Sequence, residues 1–153
     1  MDAITLLKND HKAVSKLFKE FDNLGEQATS SKQDLVTKIT EELTAHAYIE
    51  ETVFYPFARE RVPEVEDDVK EGIEEHHVLK VTMVELAGMS PNDEAYNAKV
   101  TVLKEVVEHH VKEEEDEWFP KVREAIGRDD LAEIGDQMEA AKADAPDRPD
   151  PAE

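Results

Sequence analysis

Two segments of this chain, His46–Pro56 (HAYIEETVFYP) and His110–Pro120 (HVKEEEDEWFP), repeat one pattern. In each, a His is followed four residues later by a Glu, then by a second acid, an aromatic pair and a Pro. On an α-helix a spacing of four puts both side chains on one face, one turn apart. Imidazole nitrogen and carboxylate oxygen held in one small volume make a donor pair for a first-row transition metal. A lone H-x-x-x-E is an ordinary surface pair worth roughly 0.2–0.5 kcal/mol. Two copies in a chain with only six His point to a site instead.

The rest of the chain supplies helices to hold it. Ile4, Leu7, Val14, Leu17, Phe18 and Phe21 recur at steps of three and four, the signature of an amphipathic helix, with His11 inside the same stripe. Gly25 is the expected stop, and Ser30 or Ser31 the expected start of a second helix through Leu35, Val36, Ile39, Leu43, His46 and Ile49. That helix should kink or end near Pro56, whose ring does not fit a regular helix interior. Pro63 reads as the opening of a third helix carrying Val65, Val69, Ile73, His76, Leu79, Met83 and Leu86 inward. Gly88 and Ser90–Asp93 close it. A fourth runs through Tyr96, Val100, Leu103 and His110 to Trp118, with a break expected at Pro120. Alternating strand patterns are missing.

The expected fold is therefore all-α: an antiparallel up-down-up-down four-helix bundle with a short extra C-terminal helix. The expected organisation is a bundle over 1–127, a C-terminal helix packed on it over 128–144, and a disordered Pro-rich tail over 145–153. The first and third helices echo each other as well. Asp10-His11 aligns with Glu75-His76, Val14 with Leu79, Phe18 with Met83 and Phe21 with Leu86. The chain thus reads as two similar helix pairs, each with one lone His and one H-x-x-x-E. Helix lengths bring His11 and His46 to similar height, and His46 and His76 likewise, while His110 lies several residues further from the third turn than His76, an offset that a fourth helix starting after Asp93 absorbs in part. Four His and two Glu converge on one centre.

Charge and composition narrow the partners. A net charge of −20 opposes nucleic acid and anionic membrane surfaces. The absence of Cys removes thiolate sites and disulfides and is compatible with a reducing cytosol. No secretory signal and no apolar run of membrane-spanning length is read, so a cytoplasmic protein, monomeric or weakly dimeric, is expected.

Taken together, KNDH around His11, HAYIEETVFYP from His46, EEHHVLK around His76 and HHVKEEEDEWFP from His109 resemble the hemerythrin family in its HHE cation-binding branch. The resemblance covers roughly residues 3 to 126. It implies a non-haem centre of two iron ions bridged by carboxylates, handling dioxygen, nitric oxide, peroxide or iron itself. Carried over by position, the ligands are His11, His46, Glu50, His76, His110 and Glu114. The repeat alignment favours His76 over His77 and His110 over His109, while a His109/Glu114 pairing also fits the family. Oxygen-carrying hemerythrins place a further His where this chain has Lys80, so one donor is absent or comes from water, His77 or another carboxylate. Of the run Glu113–Glu117, Glu114 is expected inward and the others on the solvated face. A Cys-free imidazole and carboxylate set suits iron, and manganese or a mixed pair as well. Three functions follow: a binding protein for a small diatomic or peroxide ligand, a di-iron enzyme with catalase-like peroxide disproportionation, and a metal-free helical interaction module.

Overall fold

The computed structural model describes residues 1–152, and the last tail residue, Glu153, lies outside them. Among the described residues there are helices and turns but no strand. Four long helices form the bundle: α1 (Ala3–Asp22), α2 (Thr29–Ile49), α4 (Glu66–Ala87) and α5 (Tyr96–Glu113). Short α3 (Tyr55–Arg61) and α6 (Phe119–Ala125) extend α2 and α5, and α7 (Arg128–Lys142) follows. Helix α1 packs on α2, α4 on α5 and α2 on α4.

Local chemistry sets the starts. The Asp2 carboxylate accepts from the Thr5 N–H at 2.8 Å, occupying one of the free amides of the first turn of α1. A 3₁₀ turn, Pro63–Val65, leads into α4, whose first turn carries Glu66, Asp67 and Asp68 against the positive helix end. Asp93 caps the Ala95 N–H at 2.9 Å just before α5.

The two prolines behave differently from the expected break. The chain stays helical through both, widening instead into π-turns at Glu50–Phe54 and Glu114–Trp118. In these turns the Tyr55 N–H reaches the Glu50 carbonyl and the Phe119 N–H the Glu114 carbonyl, five residues back. Widening the ladder by one residue relieves the clash between a proline ring and the preceding carbonyl, so each helix passes its Pro without ending. The π-turns lie immediately after each H-x-x-x-E start and so fix how Glu50, Glu51, Glu114 and Glu115 point.

Two apolar clusters fill the bundle. One holds Ile4, Leu7, Ile49, Phe54, Tyr55, Val69, Trp118, Phe119, Leu131 and Met138 among others. The other holds Val14, Phe18, Ile39, Leu43, Leu79, Met83, Tyr96, Leu103 and Val107. Each helix crosses from one to the other at a His: His11 between Leu7 and Val14, His46 between Leu43 and Ile49, His76 between Val69 and Leu79. The four imidazoles and two glutamates are a polar layer sealed on both sides by hydrocarbon.

Helix α7 is part of the first cluster, burying Leu131 and Met138 against α1, α2 and the Glu50–Phe54 turn. Gly135 makes that contact possible, since a Cβ there would lie 2.1 Å from the Met1 carbonyl oxygen. Residues 145–152 form no helix or strand; Pro146, Arg148 and Pro149 lie beside Thr44, Tyr48 and Lys80. No described helix is long and apolar enough to cross a membrane.

Candidate metal centre

All six sequence-derived candidates, His11, His46, Glu50, His76, His110 and Glu114, are buried, with both glutamates at 0 % exposure. His77 and His109 are exposed, and His109 instead pairs with Glu113 at 2.9 Å on the surface. Two groups of three have ligand atoms close enough to share an ion: His11, His46 and Glu114, and Glu50, His76 and His110. The carboxylates lie between the groups. Glu114 Oε1 is 3.1 Å from His11 Nε2 while its Oε2 is 3.3 Å from His110 Nε2. Glu50 Oε1 is 3.0 Å from His46 Nε2 and 3.1 Å from His76 Nε2.

Every imidazole is held from behind by a further acid. His11 Nδ1 faces Glu115 at 2.7 Å, His46 Nδ1 faces Asp10 at 3.0 Å, His76 Nδ1 faces Glu51 at 3.1 Å and His110 Nδ1 faces Glu75 at 2.7 Å. The pattern closes on itself around the bundle. The α1 acid Asp10 holds the α2 imidazole, Glu51 after α2 holds that of α4, Glu75 of α4 holds that of α5, and Glu115 after α5 holds that of α1.

A carboxylate accepts only, so with an ion at Nε2 each Nδ1 would donate its proton to the outer acid and each ring would turn a lone pair inward. The Nε2 atoms face carboxylate oxygens and one another, with those of His76 and His110 3.2 Å apart. The His46 Nε2 and Glu50 Oε2 atoms are buried without any hydrogen-bond partner. Acceptors facing acceptors in a buried layer cost several kcal/mol unless a cation lies between them. The donor set fits metal ions of the imidazole–carboxylate class.

Without metal, protons serve instead. Burial alone would lower the His46 imidazole, but the Glu50 charge and the hydrogen bond to Asp10 raise it to about 10. His110 is opposed by burial in the same way and is raised well above its ordinary value by Glu114. Glu50, which burial would raise, is driven well below the carboxylate range by the His46 charge and its hydrogen bonds.

Tyr55 supplies the one hydroxyl. Its O–H donates to Glu114 Oε2 at 2.7 Å and lies 3.3 and 3.2 Å from His76 and His110 Nε2. Burial, then the Glu114 and Glu50 charges, hold its phenol well above the usual value and so protonated. Gly72 leaves the space, since a Cβ there would be 3.0 Å from the Tyr55 oxygen. On the side away from Tyr55, a cavity of about 20 Å³ is lined by the four imidazoles, Asp10 and apolar side chains including Val14, Leu43, Leu79 and Val107.

The family model described as the hemerythrin HHE cation binding domain matches residues 2–122, which contain the whole layer. The chain belongs to the hemerythrin HHE cation-binding family. A solved HHE domain-containing protein of Mycobacterium kansasii, described as an Rv2633c homologue, superposes with a TM-score of 0.79 at 22 % identity. That likeness covers 94 % of this chain and 86 % of the neighbour, and shows a shared fold. A relative from Nostoc sp. (strain PCC 7120), named DNA nickase, is 28 % identical over 143 residues. The match takes in 94 % of this chain but only 40 % of that relative, so the chain spans less than half of it.

Within this hemerythrin-like chain the ring of outer acids and Tyr55 are what the sequence reading missed. The signal was present in the repeat: Asp10 aligns with Glu75 and Glu51 with Glu115, each beside an inward residue. Glu115, expected on the solvated face, instead reaches His11. Lys80 points outward to Glu51, at 3.1 Å, and so belongs to the support of His76.

Proposed function

We propose that this hemerythrin-like chain is a non-haem di-iron protein that binds a small ligand of the dioxygen or nitric oxide class. His11, His46 and Glu114 would hold one ion and Glu50, His76 and His110 the other, with both carboxylates shared. The observation that carries this reading is the buried layer of four inward Nε2 atoms and two carboxylates, with every outer Nδ1 engaged by a further acid. Iron held by these residues would supply redox chemistry and binding of an exogenous ligand.

The chain's own residues select that ligand. A cavity of about 20 Å³ admits a molecule of roughly water or diatomic size. Its hydrocarbon wall of Val14, Leu43, Leu79 and Val107 favours a neutral, weakly hydrated guest over peroxide, which needs hydrogen-bond partners. Asp10 and Glu115 hold His46 and His11 in place, and Tyr55 keeps its proton on the Glu114 side. Lys80 stands where oxygen carriers add an imidazole, leaving a larger share of anionic oxygen donors, which favours the ferric state.

Stopped-flow absorbance after mixing the reduced, iron-loaded protein with oxygenated buffer tests this. Rapid oxidation without a spectrum that reverses on degassing is expected, together with a nitric oxide adduct in anaerobic buffer. A reversible spectrum means oxygen carriage, and vigorous oxygen evolution from added peroxide means the catalase-like enzyme. The nickase name belongs to the Nostoc relative, and a net charge of −20 opposes binding to a phosphate backbone.

A further inference from the structure

The outer acids are not all anchored alike. Lys142, the last residue of α7, places its Nζ 2.7 Å from Asp10 Oδ1, while Asp10 Oδ2 faces His46 Nδ1 at 3.0 Å. Lys80 Nζ straddles the Glu51 carboxylate, 3.2 Å from Oε1 and 3.1 Å from Oε2, the oxygen that also faces His76 Nδ1 at 3.1 Å. His46 belongs to one group of three inward donors and His76 to the other. Among the described residues, neither of the two remaining outer acids has a lysine or arginine partner. Glu75 has only His109, at 3.6 Å, and Glu115 stands beside Ser15. The internal repeat puts Ser15 where Lys80 stands, so the second lysine has to come from elsewhere in the chain.

We infer that Lys142 and Lys80 are positioning residues, one for each metal position, each fixing the carboxylate that orients one imidazole. This rests on the two-metal reading above. Helix α7 lies beyond the matched residues 2–122, and by this inference it is a working part of the centre as well as a cover for the core. The chemistry is that of a carboxylate shared between two donors. An ammonium on the carboxylate, at one oxygen of Asp10 and across both of Glu51, restricts its rotation and keeps an oxygen directed at Nδ1–H. It also draws charge from that oxygen, so the proton stays on the ring and Nε2 keeps its lone pair for the ion. The two lysines occupy unrelated places in the sequence yet do the same thing to the two halves of a pseudo-symmetric site.

Cobalt(II) is the probe, because its visible bands report imidazole ligation without oxidation in air. Full-length protein loaded with cobalt is mixed with excess chelator, and metal loss is followed as two phases. Lys142→Met is expected to accelerate one phase about tenfold and Lys80→Met the other, at the low end of the loss seen for outer partners of metal ligands. Lys142→Arg and Lys80→Arg restore the wild-type rates, and the double Met variant accelerates both phases. Melting of metal-free Lys142→Met stays near wild type, since that side chain is 36 % exposed; Met138→Ala, which loosens α7 in the core, lowers melting and speeds both phases alike. Both Met variants acting on the same phase, or on neither, overturns the inference, as does failure of Arg to restore. A wild-type chain that takes up no cobalt overturns the metal centre, and this inference with it.

Discussion

Gly72→Ala probes the packing beneath the metal layer, and its sign depends on one atom. Gly72 lies within α4, where alanine is worth about 1 kcal/mol over glycine from helix propensity alone. The added Cβ, however, would lie 3.0 Å from the Tyr55 oxygen, 3.4 Å from its Cζ and 3.5 Å from His110 Cε1. Tyr55 has no room to retreat. It is fully buried, its hydroxyl is tied to Glu114 at 2.7 Å, and its ring stacks on His76 and packs on Phe54 and Trp118. Overpacking of this kind costs roughly 1–3 kcal/mol. The helix gain is therefore cancelled or outweighed, and Gly72→Ala is expected to be destabilising by about 0–2 kcal/mol. Removing the hydroxyl removes the shortest contact. In a Tyr55→Phe background the same Gly72→Ala change should stabilise by up to about 1 kcal/mol, raising Tm by roughly 2–4 °C for a chain of this size. Urea titration of the four metal-free proteins gives the coupling directly, without any dependence on metal content. Equal effects of Gly72→Ala in the two backgrounds would refute the claim that Tyr55 is pinned against α4.

Further outcomes follow from the same geometry. In metal-free protein His46 is raised from an ordinary 6.5 to about 10, so its contribution is complete below about pH 6.5 and lost as pH rises toward 10. Glu50 is lowered, so its contribution is present above its ordinary value of 4.5 and lost on acidification. Melting of the chelated protein should thus be highest between these limits and fall from pH 7 to 10, whereas metal affinity should rise over that range as protons cease to compete; a flat melting profile contradicts this. His110→Ala should lose metal while His109→Ala, exposed and paired with Glu113, should load normally, as read by metal analysis after dialysis. Gly135→Val should displace the N-terminus of α1 or undock α7, lowering Tm by several degrees in a thermal melt, because its Cβ would meet the Met1 carbonyl at 2.1 Å.

The bundle and its inward histidines were legible because periodicity and the internal repeat are direct consequences of helical geometry. Leu7, His11 and Val14 share a stripe in the sequence and cross the polar layer in the structure. The helical reading missed the π-turns, since a proline signals an interrupted ladder but not how the chain relieves it; here Tyr55 and Phe119 bond five residues back. The outer acids were harder. Asp10, Glu51, Glu75 and Glu115 sit among 38 acidic residues, and only their pairing across different helices distinguishes them. Lys80 illustrates the limit: the family comparison reads it as a missing donor, and nothing in the sequence shows that its ammonium pairs with Glu51 behind His76. Nothing in the aromatic pair Phe54-Tyr55 reveals that the Tyr55 hydroxyl reaches Glu114, since its ring packs against Trp118 as any core aromatic would.

The central claim is that the buried layer holds two metal ions. Plasma-emission analysis of protein expressed in iron-rich medium and freed of loosely bound metal tests it most directly. The account predicts about two ions per chain, mainly iron, one for each buried group of three donors. It also predicts loss of both from Glu50→Ala and from Glu114→Ala, because each carboxylate lies between the two groups. One zinc ion per chain with no iron, or full metal content in either glutamate variant, would contradict it.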